Sequence, residues 1–376
     1  MDVFEDLPED LEDVEVIYLD GEDEDIDDDY FVSDSQEPEQ IEAEVIDVSK
    51  LTFHKHGKSV FGSDVSKNQQ LVVTGGEDDM AYVWDSASGE VLFECTGHKD
   101  SVVEVGFNHD DTYVVTGDMA GLIQVWSLSE RKLVWCYEGD DMEWLMWHPV
   151  LNVLYCGCQS GFIYIWHIPS ELSKILPAPS NVAVTCGKVM PNSKQLLCGY
   201  ADGEIRLWDI TTSSVVWVNR DSSSVNSLDI SNDGALAIAA PSAVVIKLTD
   251  GKTVRKALSE GKTEIEVAMF DNQLGVIVTG SLTGRLCVWQ LGTYALRHEI
   301  DIEVPVTLLR RGPEDQVIVG TTEGVIYTCN IKTGALYQAL TGHRADILSI
   351  TTFQDRKRVV TTSDDGTAKI FELEKP

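Results

Sequence analysis

Eight copies of a unit of about forty residues, each built from short apolar strands between turn residues, predict an all-β ring, an eight-bladed β-propeller. Two observations carry this. AYVWD recurs as LIQVWS, FIYIWH, EIRLWD and RLCVWQ, placing Trp84, Trp126, Trp166, Trp208 and Trp289 at one column. Weaker copies put Leu248, Cys329 and Phe371 in the gaps, so that successive spacings are 42, 40, 42, 40, 41, 40 and 42 residues. Leucine-rich and ankyrin repeats are shorter, and TPR units need helices, whereas these units are Val-, Ile- and Leu-rich runs bounded by Gly, Asp, Asn and Ser.

Within a unit the elements follow in order. In the second, SVVEVGF (101–107) reads as the inner strand, TYVVTG (112–117) as the next, LIQVWSL (122–128) as the third and KLVWCYE (132–138) as the outer one. The chain runs out at a third strand, IFEL (370–373), so the last blade needs an outer strand from elsewhere. VIDVSKLTF (45–53) is the candidate; pairing the two ends closes the ring and removes exposed sheet edges. The expected organisation is a disordered acidic tail over 1–44 and the propeller over 45–376.

Charge bounds the partners. The net charge of the 376-residue chain is −35; residues 1–50 contribute −21 and the rest −14. Such a field repels nucleic acid and anionic membranes and attracts basic partners. The first residues, MDVFEDLPEDLEDVEV, have neither a basic nor an apolar region of a signal peptide. No run approaches the roughly 18 apolar residues of a membrane span. The eight cysteines form no CxxC and read as reduced, buried side chains of a cytoplasmic or nuclear protein. A monomer is expected. The tail segments LEDVEVIYL (11–19) and DDDYFV (27–32) mix apolar residues with acids, a pattern that binds basic partners or shields a surface.

The repeat resembles the WD-repeat family, in which a Gly-His before the inner strand, a Ser or Thr on the second, an Asp in the next turn and the Trp of the third make one hydrogen-bonded set. The first unit carries His56, Thr74, Asp78 and Trp84. The second has His98, Thr116 and Trp126, but Ala120 at the Asp column. The fourth keeps Asp202 and Trp208 without a histidine. The eighth has His343, Thr361 and Asp365, with Phe371 for the Trp. Only the first set reads as complete, and Asp78, Asp202 and Asp365 are assigned to structure.

These residues also bear on chemistry. His, Thr and Asp could suggest a hydrolase triad, but the set recurs at the repeat period and no GxSxG elbow is present. Glu77-Asp78-Asp79 lacks the pattern of a calcium loop, no Cys/His set completes a zinc site and no GxxxxGK[ST] is present, so neither metal nor cofactor is expected. What remains is a rim. Turns before the inner strands and turns between second and third strands share one face, and they supply Glu77, Asp79, Asp100, Asp118, Asp140, Asp141, Asp346 and Asp364, with Glu143 and Glu266 early in inner strands. Trp144, off the repeat column, is a candidate aromatic contact. A ring of carboxylates fits a Lys- and Arg-rich peptide.

A closer resemblance runs collinearly from about residue 50 to the end, through VTGGEDDMAYVW, LFECTGHKDSV, VTGDMAGLIQVW, EWLMWHP, GYADGEIRLWD and the stretch from TGHRADIL to TTSDDGTAKIF. It is to the angio-associated migratory cell protein family. Its yeast member is a dedicated chaperone of the basic ribosomal protein L-ten (universal large-subunit protein sixteen) and holds that protein's amino-terminal segment until delivery to the pre-ribosomal large subunit. The resemblance implies a chaperone in 60S subunit biogenesis, and the acidic charge is the ground for expecting no direct nucleic-acid or membrane contact. The alternative it implies is a scaffold in signalling and cell migration.

Overall fold

In the computed structural model the described residues are 46–376, apart from 171, 178–180, 221–222, 256–257, 259–264 and 375–376. The expected acidic tail, 1–44, lies outside them.

The repeat becomes eight four-stranded antiparallel sheets. Seven are built from consecutive strands, as in the second blade: Val102–Phe107, Tyr113–Asp118, Leu122–Ser127 and Lys132–Glu138. The eighth takes Ile347–Thr352, Arg358–Ser363 and Ala368–Glu372 from the end of the chain and Leu51–Phe53 from its beginning. The closing strand pairs Leu51 with Ile370 and Phe53 with Ala368. It is shorter than 45–53 because the preceding residues turn away to tie the neighbouring loop: Val48 N–H donates to Thr341 O at 3.1 Å and Thr341 Oγ1 to Ile46 O at 2.6 Å. The Lys369 ammonium meets the Asp47 carboxylate and Thr52 Oγ1. Phe53 lies flat on Trp84, ring centroids 4.7 Å apart, which packs the closing strand against the first blade.

Second and third strands are buried on both faces, and their alternating side chains fill the spaces between adjacent blades. Trp84 and Trp208 are almost fully buried there. Outer strands are mostly exposed, with partly buried positions between exposed ones. Inner strands line the axial channel, and six share one irregularity: the ladder skips a residue after the first pair, at Phe61, Val103, Glu143, Glu266, Thr307 and Leu348. A skipped residue leaves the ladder and bends the strand. It places Glu143 and Glu266 out of strand register at the channel mouth.

Candidate acidic binding face

The blade fixtures come first because they decide which acids are free. In the first blade His56 Nε2 lies 2.9 Å from Thr74 Oγ1, Trp84 Nε1–H donates to that oxygen at 3.3 Å, and His56 Nδ1 lies 3.0 Å from Asp78 Oδ1. One proton order satisfies every group: indole to hydroxyl, hydroxyl to Nε2, and Nδ1–H to carboxylate. The eighth blade repeats it with His343, Thr361 and Asp365, at 2.9 Å for both histidine contacts. Burial opposes ionisation of Asp365, and the bond and charge of His343 together with the bonds from Thr367 and Arg344 N–H outweigh it, so its pKa is held below the usual carboxylate range.

The second blade corrects the sequence reading. Asp118 is not a free rim acid; it is fully buried and supplies the carboxylate that Ala120 lacks. Its Oδ2 lies 3.1 Å from His98 Nδ1, whose Nε2 is 2.7 Å from Thr116 Oγ1, and its Oδ1 accepts Leu122 N–H at 2.8 Å. Burial pushes the Asp118 pKa up, and the bonds from His98, Leu122 N–H and Lys99 N–H bring it below normal. The second set is therefore complete, with the acid two residues early. In the first blade the same strand position is Gly76, where a Cβ would sit 2.6 Å from His56 Nδ1. A side chain from that position reaches the imidazole directly, which is how Asp118 substitutes for the turn residue.

The fourth blade corrects the reading in the other direction. Asp202 is exposed and, among the described residues, accepts only Glu204 N–H, at 3.2 Å, within its own turn. Trp208 Nε1 donates instead to Tyr200 Oη at 3.1 Å, under the Arg206 guanidinium. Trp144 is 7% exposed, and its indole packs against Gly157 and Gly187 between the third and fourth blades, forming part of the channel wall. It is a packed side chain rather than an open platform.

The other acids fall on turns, apart from Glu143 and Glu266 near the starts of inner strands, and hydrogen bonds tie the eighth blade to the first and the second to the third. Within blades, Glu77 N–H donates to Ser59 O, Met119 N–H to Ser101 O, Gln159 N–H to Asp141 O and Asp364 N–H to Asp346 O. Between blades, Met142 N–H donates to Met119 O, and Ser59 Oγ donates to Asp364. Asp79, Asp100, Asp140, Asp141, Glu143, Asp346 and Asp364 are exposed, and Glu77 and Glu266 are half-buried. Glu77 meets Lys58 at 3.4 Å, and Asp140 accepts Ser160 Oγ at 2.7 Å. Among the described residues Asp79, Asp100, Asp141, Glu143, Glu266 and Asp346 have no cation partner.

Asp79 adds a conformational signal. Its φ is 60°, at the turn position where the second, third, fourth, sixth, seventh and eighth blades place Gly121, Gly161, Gly203, Gly284, Gly324 and Gly366, all with positive φ. The fifth blade also departs from glycine there, with Ala243 at φ 46°, and Asp tolerates this region better than most side chains.

Beneath the face the channel holds a cavity of about 670 Å³, lined by Glu104, Glu143, Lys188, Asp229 and Arg310 among others. Burial raises the Glu104 pKa to about 8 against the pull of Arg310. Glu104 and Arg310 escape a reading of the sequence because a charged residue on a strand reads as solvent-facing; their inner-strand positions are the available signal. Among the described residues no group of three or more His, Cys, Asp or Glu side chains could hold a metal ion.

The family model for the WD domain, G-beta repeat, matches residues 48–85, 89–127, 170–209 and 334–372. The angio-associated migratory cell protein of Homo sapiens is 35% identical over 353 residues, which cover 88% of this chain and 81% of that protein. The chain belongs to the angio-associated migratory cell protein family. The units matched by the WD model are those with a complete histidine set, together with the fourth, where Tyr200 takes over the bond from Trp208. A second relative of this family member is the ribosome assembly protein SQT1 of Saccharomyces cerevisiae, 23% identical over 409 residues covering 94% of this chain and 93% of that protein. The crystal structure of the yeast Sqt1 superposes with a TM-score of 0.80 at 21% identity, covering 88% of this chain and all of the other. That of Chaetomium thermophilum Sqt1 bound to the N-terminus of the ribosomal protein L10 gives 0.79 at 20% identity, covering 87% of this chain and 100% of the other. At those identities the shared feature is the propeller.

Proposed function

We propose that this chain is a ribosomal-protein chaperone that holds the basic amino-terminal segment of ribosomal protein L10 on its acidic face and supports assembly of the 60S subunit. The carrying observation is the set of exposed carboxylates without cation partners on that face: Asp79, Asp100, Asp141, Glu143 and Asp346. Family membership and the Sqt1 relatives supply the client. The mechanism is charge mimicry. The face pairs with client Lys and Arg before rRNA is available, suppresses aggregation and wrong RNA contacts, and yields to the denser charge of rRNA. Each exposed pair contributes little, so affinity rests on several acting together. The holder works in the cytoplasm as a monomer. The test is a low-salt affinity capture with wild type and a D100K/D364K double variant. Wild type should retain one stoichiometric ribosomal protein, and the variant should lose it while remaining folded by circular dichroism, since the Ser59–Asp364 bond it gives up is a single exposed contact. A wild-type eluate of signalling or cytoskeletal proteins without a ribosomal protein sinks the proposal.

A further inference from the structure

The acidic face is not evenly shaped. Between the second and third blades it opens into a groove of about 450 Å³. Its floor is apolar, with Met119, half exposed, beside Ala120, and Asp100, Asp141 and Glu143 stand around it. The groove follows from the displaced fixture. In the first and eighth blades the turn residue equivalent to Ala120 is an Asp whose carboxylate is tied to a histidine. In the second blade that duty falls to the buried Asp118, and position 120 carries only a methyl group. The backbone around it is firm: a Cβ on the next residue, Gly121, would lie 2.1 Å from Asp140 O.

The charges around the groove are unbalanced. Lys99, adjacent in sequence to Asp100, is bound to Glu138 at 2.6 Å, and none of the three carboxylates has a cation partner. Burial and then the like charge of Asp141 raise the Glu143 pKa, so a cation between them relieves both. An apolar floor under three unpaired carboxylates suits a side chain with a long alkyl stem and a charged end. Arginine fits better than lysine because its planar guanidinium is less strongly hydrated and can bridge two carboxylates.

We infer that this groove anchors one arginine of a basic peptide, its stem over Met119 and Ala120 and its guanidinium among Asp100, Asp141 and Glu143. The inference rests on the chaperone reading and sharpens it, since one position on the face then dominates where a diffuse carboxylate ring would spread the affinity. Arginines buried at the centre of an interface commonly act in this way.

A120F fills the groove without changing charge. The probe is a fluorescein-labelled synthetic peptide of the amino-terminal segment of ribosomal protein L10, together with versions in which each arginine in turn is replaced by neutral citrulline. Binding is read by anisotropy at low salt. One citrulline should weaken binding to wild type by about tenfold or more and the others by less. A120F should lose a similar factor, and that citrulline should then cost nothing further. Met119→Ala, at an exposed position that does not threaten folding, should lose a smaller factor with the same peptide. Wild-type affinity in both A120F and M119A overturns the anchor and leaves the chaperone reading standing, as do citrulline losses that multiply with A120F. Failure of wild type to bind the parent peptide overturns both.

Discussion

Asp118 shows how one residue moves between roles. At the end of its strand it completes a buried hydrogen-bond chain, and replacing it by Asn should destabilise the protein by about 1–3 kcal/mol at pH 7. The pH dependence follows from its depressed pKa. The unfolded chain binds the proton more readily, so the contribution is full above the ordinary Asp range near 4 and is lost as pH falls through the lower folded value. Thermal melts of wild type and D118N should therefore differ most at pH 7 and draw together as the pH falls below the ordinary Asp range. Asp79 makes the opposite trade. Glycine there should stabilise by up to about 1 kcal/mol by relieving φ 60°, while weakening capture of a basic peptide. A denaturant midpoint that rises together with a Kd that rises is the expected pair of readings. The sequence could not separate these cases, because motif columns assume that a side chain acts from its own position. Asp118 reaches the histidine from two residues upstream, and Asp202 occupies the structural column with no histidine to hold.

At the scale of elements, the closing strand concentrates the most consequence in the fewest residues. Leu51–Phe53 supplies one strand of the eighth sheet and, through Phe53, a stacked contact with Trp84 of the first. Phe53 is 3% exposed, so Phe53→Ala should cost about 3–5 kcal/mol in urea unfolding. Removing residues 1–53 should instead produce aggregation by exposing the edge of Ala368–Glu372, detected by light scattering. Strand existence and order were legible from the alternation of apolar residues and from the tryptophan spacing. The short register of the closing strand was not, because the turn of residues 46–48 towards Thr341 depends on a loop almost 300 residues away.

For the whole molecule, the charge distribution sets how a client arrives. A face of several unpaired carboxylates should accelerate encounter with a basic peptide, and the association rate should fall steeply between low and physiological salt while dissociation changes less. Stopped-flow measurements at several salt concentrations test this; a rate indifferent to salt removes steering from the mechanism. The eightfold architecture and the positions of the acids other than Asp118 were legible because repeats convert one local reading into a global one. The groove at Ala120 was not, because it arises from an exception to the repeat and from the packing of two blades.

The seam at Leu51–Phe53 also fixes an order in time. Synthesis is vectorial, and the strand that finishes the last sheet leaves the ribosome more than 300 residues before Ala368–Glu372, with which it pairs. Until Ala368–Glu372 has been made, the nascent propeller is an open arc with an unpaired edge at the growing end. Pairing across that separation makes closure a slow, late step. A stalled or truncated chain would therefore carry its acidic turns without the ring that arranges them.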